Sequence, residues 1–303
     1  MNALLRKTSG HGLGTAMLVA LALGAAPAAV AAPATPTMDE VIARGRSKIG
    51  PEDKLAALET LQYVGNIYDD KGQLSGNLVL QFKKPAAQRV ELIMPGYTDV
   101  SATDGSEGWF LRTPIDGRKT IAIMQPTQLL SFLDTSYENL YFYRGPEHVR
   151  KATSTMSGPE DFRGASCWKV TSSYPGNVTY ERFFDVASGD LRGTRAEDGK
   201  TEMVEAGHLN AGDLEFPAEV QYYGAGKLIR TVKFTKITVN EPVDDKVFAV
   251  PSASSLLSLT TGNSGSAPPL ATGPAADTKV NVPPAVPQPD EQPAVLYLQP
   301  AQP

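Results

Sequence analysis

The sequence predicts a mainly β chain with a few helices, built on one curved antiparallel sheet of about ten strands whose concave side is covered by helices. Period-two patterning is the first reason. Between Gly76 and Met124, Leu78, Leu80 and Phe82 alternate with Val79, Gln81 and Lys83, and Val90, Leu92 and Met94 repeat the pattern after a Lys84-Pro85 break. Punctuation is the second: Gly and Asp recur at hairpin spacing and crossover helices are missing, so neighbouring strands are expected to run antiparallel. A sheet of that size must curl or close.

Two helices are expected to open the domain. Thr37-Met38-Asp39-Glu40 offers a Thr cap with a Glu three residues on, and Met38, Val41, Ile42 and Ile49 mark an apolar face that Gly50 ends. Pro51 is placed to start a second helix, with Glu52 and Asp53 against its dipole and Leu55, Leu58 and Leu61 on one side. A strand at Tyr63 to Tyr68 then turns at Asp69-Asp70-Lys71-Gly72, and further short strands are broken by Asp104-Gly105 and Asp116-Gly117. A helix over Thr127 to Ser136 leads into the aromatic cluster Tyr137, Tyr141, Phe142 and Tyr143. The second series of strands is Cys167 to Ser172, Thr179 to Asp185, Thr201 to Val204, Ala218 to Tyr223 and Ile229 to Val239. Ser188-Gly189-Asp190, Asp198-Gly199 and Gly224-Ala225-Gly226 separate strands of this series.

Composition sets the compartment and the domain limits. Arg6 and Lys7 precede the apolar run Ala16 to Ala26, and Ala29-Val30-Ala31 supplies the small residues of a cleavage site before Ala32. Residues 1–31 therefore read as a secretory signal peptide rather than an anchor, and the expected location is the periplasm. Its removal shifts the formal charge from -5 to -7, because residues 1–31 hold two basic residues and no acid. An acidic chain without Lys/Arg clusters is a poor partner for nucleic acid. The single Cys167 excludes an internal disulfide, so the domain at 37–251 must be held by burial. From Ser252 to Pro303 there are ten prolines, one Lys279, no Arg and only Tyr297 among aromatics, a composition expected of a disordered tail. The alternative reading is a spacer or docking strand that ends in the Val295 to Leu298 cluster.

Catalytic machinery is hard to assemble. Ser166-Cys167-Trp168-Lys169 matches S-x-x-K, but on a strand Ser166 and Lys169 point to opposite faces. Only His148 and His208 follow the leader, without a second cysteine, so no metal site and no cofactor are expected. Asp69-Asp70 and Asp244-Asp245 read as solvated turns, Asn177-Val178-Thr179 as a formal glycosylation sequon, and Cys167 beside Trp168 as a buried apolar residue. What stands out is apolar: Trp109, Phe110, Ile121, Ile123, Leu129, Leu130, Phe132 and Leu133. On residues alone these are either packed core or the wall of a ligand cavity.

Three motifs in register bear on that choice. Gly76 leads a strand ending Phe82-Lys83-Lys84-Pro85; Asp104-Gly105-Ser106-Glu107-Gly108-Trp109-Phe110 makes a hairpin followed by an apolar helix; and Asn240-Glu241-Pro242-Val243-Asp244-Asp245 precedes Phe248-Ala249-Val250-Pro251. From Met38 to Pro251 this order resembles the outer-membrane lipoprotein carrier (LolA-like) family. The resemblance implies a half-barrel with helices as a lid over an apolar cavity that receives lipid or lipoprotein acyl chains, without catalysis. It implies a monomer that meets inner- and outer-membrane protein partners. Carried over, Leu80, Phe82, Leu92, Met94, Trp109, Phe110, Ile121 and Ile123 belong to the cavity strands and Leu129, Leu130, Phe132 and Leu133 to the covering helix. Lys84 stands where such carriers often have a lid-gating Arg. A periplasmic sensor or interaction module, and less readily an exported hydrolase, are the rival classes.

Overall fold

The computed structural model describes residues 35–144, 151–174, 178–196 and 199–252. The leader at 1–31, His148, Asn177, Asp198 and the tail from residue 253, with its Val295 to Leu298 cluster, lie outside the described residues. Helix α1 (Met38–Ile49) starts at the expected capping box, in which Thr37 Oγ1 accepts from Glu40 N at 3.3 Å and the Glu40 carboxylate accepts from Thr37 N at 2.7 Å. Helix α2 (Glu52–Ala56) is one turn long, shorter than its leucines suggest. Pro51 caps it rather than opening it, and Leu61 already belongs to the next strand, β1 (Thr60–Asp69).

Strands β2 (Leu74–Lys83), β3 (Ala87–Met94), β4 (Tyr97–Thr103), β5 (Gly108–Pro114) and β6 (Thr120–Ile123) follow as consecutive hairpins. Helix α3 (Pro126–Tyr141) extends past the expected end at Ser136 and takes in Tyr137 and Tyr141. The second series is β7 (Thr153–Phe162), β8 (Ala165–Ser173), β9 (Thr179–Asp185), β10 (Leu191–Ala196), β11 (Thr201–Ala206), β14 (Glu219–Gly224) and β15 (Lys227–Val239). A two-stranded ribbon, β12 (Leu209–Ala211) with β13 (Leu214–Phe216), interrupts it.

All these strands except the ribbon form one antiparallel sheet of thirteen strands, not about ten, in the order β6-β5-β4-β3-β2-β1-β15-β14-β11-β10-β9-β8-β7. It is open: β6 and β7 are its edges. The first strand pairs with the last, Leu61 opposite Val239 and Asp69 opposite Arg230, so the chain's two halves meet in the middle of the sheet. The strands that the pattern misses have physical reasons to be hidden. Strand β7 carries Gly158-Pro159 in its interior, which an edge strand tolerates, and its register against β8 shifts between Ser157 and Glu160. In β10 the sequence Leu-Arg-Gly-Thr-Arg-Ala lacks apolar alternation because Gly193 lies directly against the Phe162 ring, where a Cβ would come within 2.8 Å.

Alternation along the strands sorts side chains onto two faces. One face carries the main core: Tyr63, Leu78, Leu80, Phe82, Val90, Leu92, Phe110, Met203, Val220, Val232 and Phe234, joined by Phe132, Leu140 and Phe142 from α3 and its end. On the other face, Val100, Ala102, Trp109 and Leu111 pack with Val250. There the Trp109 indole donates to Phe248 O at 2.9 Å, so the segment after the 3-10 turn Asp245–Val247 straps the back of β4 and β5. Among the described residues no helix is long and apolar enough to cross a membrane.

Candidate functional site

A cavity of about 440 Å³ opens between α1, α3 and the β9-β10-β11-β14 part of the sheet. Its walls are Gly45, Lys48 and Ile49 from α1, Thr135, Glu138 and Asn139 from α3, and Tyr180, Arg182, Thr194, Met203, Glu205 and Val220 from the strands. Tyr63, Leu80, Phe142, Phe216 and Phe234 complete the lining. Helix α1 can come this close because Gly45 has no side chain: a Cβ there would sit 2.4 Å from the Phe184 ring. The ends of α1 and α3 are tied together by Arg46, which is 5% exposed. Its guanidinium donates to the carbonyls of Tyr141 at 2.6 Å and Phe142 at 2.7 Å, and grips both carboxylate oxygens of Glu52.

The cavity is amphiphilic. On its wall Arg182 is ion-paired with Glu138, and its guanidinium lies 5.3 Å from the Tyr143 ring and 5.4 Å from the Tyr180 ring. Burial holds Glu138 above the usual carboxylate range, although Arg182 pulls the other way. Glu205 shares its face of β11 with Met203, so its half-buried side chain meets the cavity rather than bulk solvent. Burial pushes its carboxyl up to about 7, with Arg182 opposing. The hydroxyls of Tyr63 and Tyr143 are raised for the same reason, with Glu205 adding to both. At the rim Lys48 is ion-paired with Asp190 at 3.6 Å, and His208 Nδ1 lies 2.8 Å from the Glu215 carboxylate.

Glu205 makes a stability prediction with a definite sign. Its folded pKa lies above the ordinary value of 4.5, so the folded state holds a proton that the unfolded chain releases, and this contribution is complete below 4.5 and lost as pH rises through about 7. Glu205→Gln is therefore expected to flatten stability between pH 5 and pH 8, gaining on the order of 2 kcal/mol at pH 8 after allowance for water in the cavity. Urea denaturation at the two pH values measures it; an equal change at both would contradict the assignment.

Of the residues singled out from sequence, Leu80 lines this cavity. Phe82, Leu92, Phe110 and Phe132 are buried in the main core, with Met94 packed against it. Trp109 points to the opposite face from its neighbour Phe110 and holds the strap. Leu133 packs with Ala86 and Tyr137, and Leu129 bridges that group to the core. Ile121, Ile123 and Leu130 are exposed, at 37%, 57% and 38%. Lys84 donates to Ala56 O at 2.9 Å and lies 5.5 Å from the Tyr141 ring, and burial lowers its pKa. Lys169 is paired with Glu160 and Glu181, and Ser166 is exposed on the same strand. Among the described residues no cluster of three or more His, Cys, Asp or Glu is arranged to hold a metal.

No family model and no curated protein matches the chain. Solved structures do. A DUF1329 family protein from Desulfovibrio piger aligns at TM-score 0.47 and 10% identity, over 73% of this chain and 100% of its own. An outer membrane lipoprotein-sorting protein domain from Vibrio parahaemolyticus aligns at 0.45 and 9%, over 69% and 94%. A LolA superfamily protein from Nitrosomonas europaea aligns at 0.46 and 8%, over 71% and 99%. These neighbours include a LolA superfamily protein and a lipoprotein-sorting domain.

Sequence reasoning passed over the polar half of the cavity, and a signal for it existed. Tyr180, Arg182 and Phe184 share one face of β9, so a charge stands between two aromatic residues on a face that must be buried. On α3, Asp134 and Glu138 are four residues apart and therefore stacked on one side of the helix. Only the fold shows that these two faces meet.

Proposed function

We propose that the chain is a non-catalytic binder or carrier of lipid-like molecules, which places their hydrocarbon portion in the cavity under α1 and α3. In this reading the sheet is the half-barrel of the motif resemblance and the helices are its lid. The observation that carries it is the unfilled volume: about 440 Å³ walled by Tyr63, Leu80, Phe142, Met203, Phe216 and Phe234, inside the range of about 300–1,000 Å³ typical of small-molecule pockets. Each methylene moved from water into such a site contributes about 0.8 kcal/mol, enough to hold an acyl chain reversibly. Export by the leader would place this binding in the periplasm, as a single domain over 37–251 with the proline-rich tail beyond it.

The test uses the neutral apolar probe N-phenyl-1-naphthylamine, whose fluorescence rises on leaving water. One probe per chain is expected to bind. Leu80→Trp, which projects an indole into the cavity, should weaken binding by about tenfold, roughly 1.4 kcal/mol, with the far-ultraviolet circular dichroism unchanged. Ile123→Trp, on exposed β6, should leave it as it was. Absence of probe binding, or equal binding by both variants, would overturn the reading.

A further inference from the structure

We infer that Glu205 anchors the polar end of the bound molecule, and that the cavity selects amphiphiles whose head donates hydrogen bonds without negative charge, a hydroxyl or an ammonium. This rests on the cavity-binding reading above and adds the class of ligand to it.

The charges on the walls decide the matter one by one. Arg182 is the buried cation, and it brings its own counter-charge: the fork is committed to Glu138 and the guanidinium is packed beside Tyr143 and Tyr180. Lys48 is paired with Asp190, Arg192 faces Asp185 at 3.5 Å, and His208 is held by Glu215. Asn139 donates its amide to Thr135 O at 2.8 Å. Glu205 differs from all of these, since among the described residues it has no hydrogen bond and no ion pair while its side chain lies on the cavity wall. A half-buried carboxylate on the cavity wall with no protein donor is open to a ligand group that donates to it.

A head bearing a carboxylate or phosphate meets the reverse situation. It would bring a negative charge into a chamber that already holds Glu138 and Glu205 against one committed guanidinium, and binding it would require breaking the Arg182–Glu138 pair. An ammonium gains a charge-assisted hydrogen bond from Glu205 on the cavity wall. A hydroxyl donates to Glu205 whether or not that group is ionised, because the protonated carboxyl keeps an acceptor oxygen. The apolar body then lies against Leu80, Met203 and Val220.

Three decyl compounds of equal chain length separate the cases: decylammonium, decanol and decanoate, each titrated calorimetrically into the full chain at pH 8 below its micellar concentration. Decylammonium and decanol are expected to bind, with decanoate weaker by about tenfold or more, the size of one charge-assisted hydrogen bond. Glu205→Gln should weaken decylammonium by about tenfold while changing decanol by less than about threefold. Decanoate binding as tightly as the other two, or a Glu205→Gln variant with unaltered preferences, would overturn the inference while leaving the cavity reading intact. Failure of all three ligands and of the naphthylamine probe would remove both.

Discussion

Arg182→Leu is expected to cost about 3–5 kcal/mol of folding stability at pH 8, because it strands Glu138 in a site from which water is largely excluded. The guanidinium also gives up its contacts with the Tyr143 and Tyr180 rings. The loss should depend on pH in a fixed direction. Without its cation Glu138 has a folded pKa raised still further above its unfolded value, so the protonated form is what the folded state accommodates, and stability falls as pH rises away from the ordinary carboxylate range. The deficit relative to the parent chain is therefore smaller at pH 5 than at pH 8. Replacing both partners, Arg182→Leu with Glu138→Leu, should recover most of it, since neither charge is then buried alone. Urea unfolding of the three chains at the two pH values gives the comparison. A cost below about 1 kcal/mol, the range of an exposed surface pair, or a deficit that grows toward pH 5, would show that the Arg182–Glu138 pair is solvated rather than buried.

What sequence alone made legible follows from the range over which each determinant acts. The capping box of α1 lies within four residues and was readable from Thr37 and Glu40. Strand β9 occupies Thr179–Asp185, the bounds that its alternation marks, and the Asp69 turn forms where Asp-Asp-Lys-Gly announces it, with the Asp69 carboxylate accepting from Lys71 N and Gln73 N. Strand number was less legible, because β7 carries a Gly-Pro break that its edge position tolerates and β10 a glycine under a ring, and neither leaves an apolar rhythm. Faces were half legible. Period two shows that Leu80 and Phe82 share a side and that Trp109 and Phe110 do not, but it is silent on what covers each side. That is why Trp109, the most conspicuous aromatic of its hairpin, belongs to a strap 139 residues away in sequence, while the cavity gathers Glu138, Arg182 and Glu205 from three elements that no local pattern connects.

The strap carries the second large effect. Phe248 is 1% exposed and its carbonyl accepts the Trp109 indole, so Phe248→Ala removes a buried ring and loosens a polar tie between the closing segment and β5. Truncating a buried Phe typically costs about 3–5 kcal/mol, which for a domain of this size lowers the melting temperature by roughly 6–20 °C. The strap also predicts a spectroscopic signature that a cavity elsewhere in the core would not produce. In a Trp168→Phe background, Trp109 is the remaining tryptophan, read with excitation that bypasses tyrosine. It is 2% exposed against Val250, so releasing the strap should let water reach the indole and move its emission to the red even below the unfolding transition. Binding of the naphthylamine probe should persist in the same variant at temperatures where the domain is folded, because the strap and the cavity lie on opposite faces of the sheet. Loss of probe binding together with the red shift would mean that the two faces are mechanically coupled through β1 to β5. An unchanged emission maximum would mean that Trp109 is sheltered by something other than the segment from Phe248 to Val250.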